Sequence, residues 1–355
     1  QCLKQPRPLR VVRQPQPKRL RRRIAQPRTQ PRQCVARRRA QRPPVAPAHQ
    51  RHPAVHPLLH QVLAVVKLAG VLRRLDGAEP ARGLDALNYA CYQDARFMIV
   101  GTPSGVTLAP EGGAHQSIGS PLIGMSQDGL ASFEPAFADE LAVIMKWAFD
   151  YLQKDGEGDP DERTWLRDET GGSVYLRLTT NPIEQPGKRV DEDFRQGAID
   201  GAYWLRKPGP NCDVVIAYQG AVAPEAIKAA GMIAEGRRDV GVLAVTSADR
   251  LNAGWTAAQR ARARGNAEAQ SHIESLLADL PRGCKIVTVI DGHPATLSWL
   301  GSVVGHQTVP LGVEHFGQTG TIADLYQHFG IDARSIVEKV QGLTPGRQML
   351  HRVAG

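Results

Sequence analysis

The chain has 355 residues, with 44 Lys plus Arg against 35 Asp plus Glu, a formal net charge of +9. Its 42% hydrophobic content is ordinary for a folded protein and leaves room for two or three domains. No uninterrupted apolar run reaches the roughly 20 residues of a membrane span, since the best candidate, Leu58 to Leu72, is broken by His60 and Lys67. The five cysteines (Cys2, Cys34, Cys91, Cys212, Cys284) form no C-x-x-C pair, which argues against zinc and against a disulfide framework and favours a reducing, cytoplasmic compartment.

The charge is partitioned. The first 75 residues hold 19 of the basic residues and none of the acidic ones, so the rest of the chain is acidic, 35 against 25. Residues 1–82 read as a disordered Arg/Pro-rich segment: they offer little apolar surface to offset ordering entropy, and like charges repel along them. Three roles compete. A nucleic-acid arm is disfavoured, because the segment has no aromatics to stack on bases up to His60. A transit peptide would be Ser-rich and unbroken by Pro. The third reading is a GC-rich stretch translated in the wrong frame or from the wrong start: Leu, Pro, His, Gln and Arg dominate, and the first residue is Gln1, not Met.

The rest reads as α/β, with two mostly parallel sheets and covering helices. Phe97–Val100 is a fully apolar strand; residues 121–124 and 130–133 are weaker strand candidates. A helix follows from Pro135 to about Gln153, with Phe137, Leu141, Ile144, Met145, Ala148, Phe149 and Leu152 near a helical period. Residues 154–172 are a polar excursion, 174–178 return as a strand, and 181–202, rich in Pro and charge, form a linker. A second unit, 203–345, alternates strands (212–218, 240–246, 285–291, 306–313) with helices (223–235, 260–280, 293–304, 321–330, 332–342). Residues 346–355 are a tail.

Between the first strand and the first long helix lies a glycine-rich loop, Gly105 to Gly119, GVTLAPEGGAHQSIG. Glu111 stands four residues before His115. Glycines let a backbone approach a ligand closely, an imidazole exchanges protons near neutral pH, and a neighbouring carboxylate orients it. EGGAHQS resembles the histidine loop of the pyrimidine-binding domain in thiamine-diphosphate enzymes of the transketolase superfamily. The flanks, DALNYACYQDARFMIVGTPSGV before it and GLASFEPAFADELAVIM after it, resemble the homodimeric pyruvate dehydrogenase first component, from about Gly83 to about Gln341.

This resemblance implies that 83–180 is part of a pyrimidine-binding domain and that 203–345 is the superfamily's C-terminal domain. It implies thiamine diphosphate and Mg as cofactors, His115 as the substrate-facing proton-handling residue, Glu111 as its orienting acid, and Gln116 as a cofactor contact. It implies pyruvate decarboxylation, with acetyl transfer to a lipoyl acyltransferase partner, and a homodimer. The metal- and diphosphate-binding GDG…N motif is absent, and the family's activating glutamate and stacking aromatic would fall where the Arg/Pro segment stands. The chain therefore reads as a C-terminal fragment, inactive alone. The alternatives are a transketolase-like fragment and a non-catalytic subunit that uses the basic arm. VEHFGQTG, Val313 to Gly320, resembles a loop of the family's C-terminal domain, with a structural or dimer-interface role expected. DGHP, Asp291 to Pro294, ends a strand where α/β folds place ligands, with helix capping as the commoner use. Thr246 to Arg262 reads as a helix entrance with a solvated face.

Overall fold

The computed structural model describes residues 80–106, 112, 116–154, 156, 166–187, 190–236, 239–315 and 317–344. The Arg/Pro segment up to residue 79, the tail beyond 345, and both Glu111 and His115 lie outside the described residues. The described part contains two parallel-dominated sheets.

The first sheet begins after helix α1 (Pro80–Tyr92) with β1 (Met98–Gly101). Helix α2 (Ser120–Ser126), β2 (Leu130–Phe133), helix α3 (Ala138–Tyr151) and β3 (Ser173–Arg177) complete it. The strand order is β1-β3-β2, all parallel, with Met98 opposite Val174 and Leu130 opposite Ser173. Its two faces are covered separately. Ala131, Phe133, Val174 and Leu176 pack on Ile144, Ala148 and Tyr151 of α3, whereas Phe97, Ile99 and Leu130 pack on Leu87 and Cys91 of α1. Burial on both faces suits the apolar runs of β2 and β3, whereas β1 lies at the edge and leaves Val100 exposed.

Residues 121–124 are helical, not a strand. Pro121 sits in the first turn of α2, where its fixed φ suits a helix and its missing N–H costs nothing. Helix α3 starts three residues after Pro135. The Glu140 carboxylate reaches back to accept from the Ala136 and Phe137 N–H groups at 2.7 and 2.9 Å.

The linker expectation also needs correction. Helix α4 (Glu192–Asp200) lies inside it, with Asp191 accepting from the Phe194 N–H, and it runs directly into β4 (Ala202–Arg206). The order then continues β5 (Val214–Gln219), α5 (Ala223–Glu235), β6 (Val240–Val245), α6 (Ala248–Ala263), α7 (His272–Leu277), β7 (Lys285–Ile290), β8 (Thr308–Leu311), α8 (Ile322–Phe329) and α9 (Ala333–Leu343). The sheet order is β4-β6-β5-β7-β8, with only β4 antiparallel. Along β5 the side chains alternate between two cores: Val214 and Ile216 pack with Ala226, Ile233, Val337 and Val340, and Val215 and Ala217 pack with Leu251, Ile273 and Leu277.

Three further expectations shift. The helix drawn over 260–280 is two helices, the second opened by a Ser271–Glu274 capping box. Residues 293–304 form two short 3₁₀ turns instead of a helix. The entrance of α6 is not a solvated face, because Asp249, Arg250 and Leu251 are buried. No helix among the described residues is long and apolar enough to cross a membrane.

Candidate functional site

The carboxyl ends of the two sheets face each other, and a buried polar cluster fills the junction. Glu134, just past β2, and Arg177, the last residue of β3, are 3% and 2% exposed and form an ion pair. Arg177 spends its remaining donors on Ser120 Oγ (2.8 Å), Ser117 O (3.1 Å) and Asp291 O (2.8 Å). From the second sheet, Gln219 at the end of β5 donates to Glu134 Oε2 at 2.9 Å. The Glu134 N–H donates to Thr246 O at 2.7 Å, and the Ser132 N–H to Asp249 Oδ2 at 2.9 Å. Arg250 extends the joint: it grips Asp168 through both guanidinium N–H groups and lies 4.8 Å over the Trp147 ring.

One guanidinium thus stands among two buried carboxyls, Glu134 and Asp291. Burial pushes Glu134 up to about 7, against the pull of Arg177 and Gln219 and with a further push from Asp291. Burial also raises Asp291, opposed by Arg177 and by donors from Val106 and Tyr326. A single cation does not neutralise two dry carboxylates, so the cluster favours keeping a proton near neutral pH.

Asp291 anchors the glycine-rich loop. Its carboxylate accepts from the Val106 N–H at 3.0 Å and from Tyr326 Oη at 3.1 Å. Gly105 passes so close (φ +59°) that a Cβ there would lie 2.2 Å from the Asp291 carboxyl, and only glycine fits. The loop's return strand is pinned by a bridge between Gly105 and Ser117 and by the His293 N–H donating to Ile118 O at 2.8 Å. Gln116 is 4% exposed and clasps the 313–320 loop, donating to Gln318 O at 2.8 Å and accepting from the Gly317 N–H at 2.9 Å. Gly112 meets the same loop; a Cβ there would lie 2.3 Å from Thr319 Oγ1.

Of the residues singled out from sequence, Gln116 is held by the 313–320 loop and Asp291 by Val106 and Tyr326, while Glu111 and His115 lie outside the described residues. In the DGHP string, Asp291 joins the cluster while His293 caps a 3₁₀ turn through Nδ1, accepting from the Ala295 N–H. Glu314 and His315 are exposed. Glu134, Arg177, Gln219 and Tyr326 went unnoticed in the sequence. The available signal was a charge at the end of an apolar strand, as in LASFE and VYLR, which a one-sided strand does not require.

Residues 201–332 match the family described as Transketolase-like TK C-terminal domain. The second sheet and helices α5 to α8 fall within that match. Over 268 residues, the chain is 30% identical to the pyruvate dehydrogenase E1 component of Mycolicibacterium smegmatis, covering 73% of this chain and 27% of that protein. The corresponding protein of Corynebacterium glutamicum is 27% identical over 267 residues, covering 72% of this chain and 27% of its own length. The chain therefore spans about a quarter of the length of the curated relatives it matches. Among solved structures, a transketolase from Leishmania mexicana superposes with a TM-score of 0.55 at 19% identity, covering 76% of this chain and 34% of that one. A transketolase variant from Pichia stipitis gives 0.54 at 19% identity, covering 74% and 32%. At that identity the superpositions speak for the fold. They extend beyond the transketolase-like C-terminal domain, because three quarters of the chain exceeds the second sheet alone.

Proposed function

We propose that this chain supplies the histidine loop and the C-terminal domain of a pyruvate-type 2-oxo acid dehydrogenase first component. The observation that carries this reading is the 30% identity to a pyruvate dehydrogenase E1 component, over a span that, at 73% of the chain, takes in the 105–119 loop. In this reading residues 83–180 are part of a pyrimidine-binding domain and 203–345 the C-terminal domain. His115 handles a proton at the substrate, and Glu111 orients its imidazole. Gln116 contacts the cofactor from a position fixed by its clasp on Gly317 and Gln318.

Thiamine diphosphate with Mg is the cofactor of this class and supplies its carbanion chemistry. The described residues do not fit its diphosphate and metal. The Glu134 and Asp291 carboxyls are already engaged by Arg177, Gln219, Val106 and Tyr326. Among the described residues, no three His, Cys, Asp or Glu gather to hold an ion. We assign that seat to a companion segment or chain, so this chain alone is inactive. A dimer and a lipoyl acyltransferase that accepts the acetyl group complete the reading.

The test is turnover of pyruvate with thiamine diphosphate, Mg and an artificial electron acceptor. The purified chain alone is expected to give none. Adding a protein that carries a GDG…N segment and the activating glutamate is expected to restore it. In that mixture His115→Ala should cut turnover by about 100-fold or more. Turnover by the chain alone would overturn the fragment reading, and an unaffected His115→Ala mixture would overturn the role of the imidazole. A ketose phosphate donor in the same mixture separates the transketolase class.

A further inference from the structure

At the end of the second sheet opposite the polar cluster, two thiols meet. Cys212 leads into β5 and Cys284 into β7, the neighbouring parallel strand, in a register that pairs Val214 with Lys285. The Lys285 N–H donates to Asp213 O at 2.9 Å, which fixes the two approaches side by side. The sulfurs are 3.9 Å apart, with the Cys284 thiol donating to Cys212 Sγ. Both residues are buried, at 2% and 1%, yet each lies immediately below an exposed turn, Pro210 and Asn211 above Cys212 and Arg282 and Gly283 above Cys284. These are short loop residues preceding the strands, so closing the remaining gap to the ~2.05 Å of an S–S bond asks for rotamer and turn adjustment and leaves the β5–β7 ladder in place. Cys91, by contrast, is a buried thiol packed between α1 and the first sheet, where burial pushes it up to about 11.

We propose that Cys212 and Cys284 are a redox-modifiable pair that closes reversibly into an intramolecular disulfide at the amino ends of β5 and β7. The oxidant class is a small hydroperoxide, which reaches sites that lie one residue beneath the surface. Cys212 is the attacking sulfur. The Cys284 thiol donates to it and holds its pKa down, whereas its own partner and burial push Cys284 up. Cys212 attacks a peroxide oxygen, the O–O bond breaks, and Cys212 becomes a sulfenic acid as the first water leaves. The Cys284 sulfur then displaces the sulfenic oxygen as a second water. Two thiols and one hydrogen peroxide thus become one disulfide and two waters. A dithiol reductant reverses the change by thiol–disulfide exchange.

The bond would tie together residues 72 apart in the chain. Constraining a loop of that length in the unfolded state raises the thermal midpoint by about 10 °C. The pair lies at the opposite strand ends from Gln219 and Asp291, so the modification reads out as stability.

The test uses the full chain in its native state, treated with hydrogen peroxide, then denatured in acid, alkylated, digested without reduction and mapped by mass spectrometry. The expected result is a peptide pair linked through Cys212 and Cys284, with Cys91 still alkylated. The midpoint should rise, and dithiothreitol should reverse the rise. Cys212→Ala and Cys284→Ala should each abolish both the linked peptide and the shift; if either variant fails to fold, the wild-type map decides alone. Both thiols alkylated after oxidant treatment would overturn the proposal. So would sulfinic or sulfonic acid at either position, or pairing of either cysteine with Cys2, Cys34 or Cys91.

Discussion

Glu134 and Arg177 show how much a single charge pair asks of its surroundings. Ionising Glu134 creates a charge at a site shut off from water, and its folded pKa of about 7 lies above the ordinary 4.5. In the folded state it holds a proton that the unfolded chain has already released between those values. Its contribution to stability is therefore full below about pH 4.5 and is lost as pH rises through about 7, by about 3 kcal/mol in all. Glu134→Gln should flatten that slope in urea unfolding measured at pH 5 and pH 8; an unchanged slope would assign it elsewhere. Arg177→Ala leaves two buried carboxyls without their cation and should cost about 3–5 kcal/mol. Arg177→Lys should recover only part of this, because a single ammonium does not reach Ser120 Oγ, Ser117 O, Asp291 O and Glu134 at once. Comparison of the two variants by chemical denaturation checks both statements. Sequence periodicity announces apolar faces, and a charge whose partners lie 43 and 114 residues away leaves no periodic trace.

Among the elements, the strands were readable as apolar runs: β5, β6 and β7 are buried on both faces, and β1 keeps an apolar run although it is an edge with Val100 exposed. FMIV, CDVVIAY, VGVLAVT and KIVTVID all lead into or contain observed strands. The misreadings fell where one signal masked another. In 181–202 the prolines and charge density hid an Asp191 cap, the Phe194 and Ala198 spacing, and Gly201 as terminator of α4. AYWLR escaped notice as β4 because it is an antiparallel edge whose last residues are exposed. In HPATLSWLGSVV the apolar spacing suggested a helix, but Gly301 lies against His306 O and Thr308, and the chain turns there. Asp332 opens α9 by accepting from the Arg334 N–H, and Asp332→Ala should lower stability by about 1 kcal/mol in thermal or urea unfolding. Gly342, expected to end that helix, lies inside it. Gln116→Ala removes its two hydrogen bonds to the 313–320 loop. Faster amide hydrogen exchange at Gly317 is the expected signature, with exchange in β5 unchanged.

At the scale of the whole molecule, the two sheets are joined carboxyl end to carboxyl end. The joint is built from backbone bonds such as Glu134 N–H to Thr246 O and from the buried side chains of Arg177, Gln219, Ser247, Asp249 and Arg250. Such a joint makes one folding unit of two sheets. Near-ultraviolet signals from Trp147, in the first half, and from the stacked Trp255 and Trp299, in the second, should melt together. Tryptophan variants that isolate each probe would test this, and two separated transitions would contradict it. The resemblance to thiamine-dependent enzymes was legible from one loop and its flanks, whereas this joint was not, because its members come from stretches far apart in the chain.

The stoppered interior also departs from the usual layout of such sheets. In most open α/β sheets the carboxyl edge is left as a crevice for a guest; here each sheet plugs the crevice of the other with its own ions and amides.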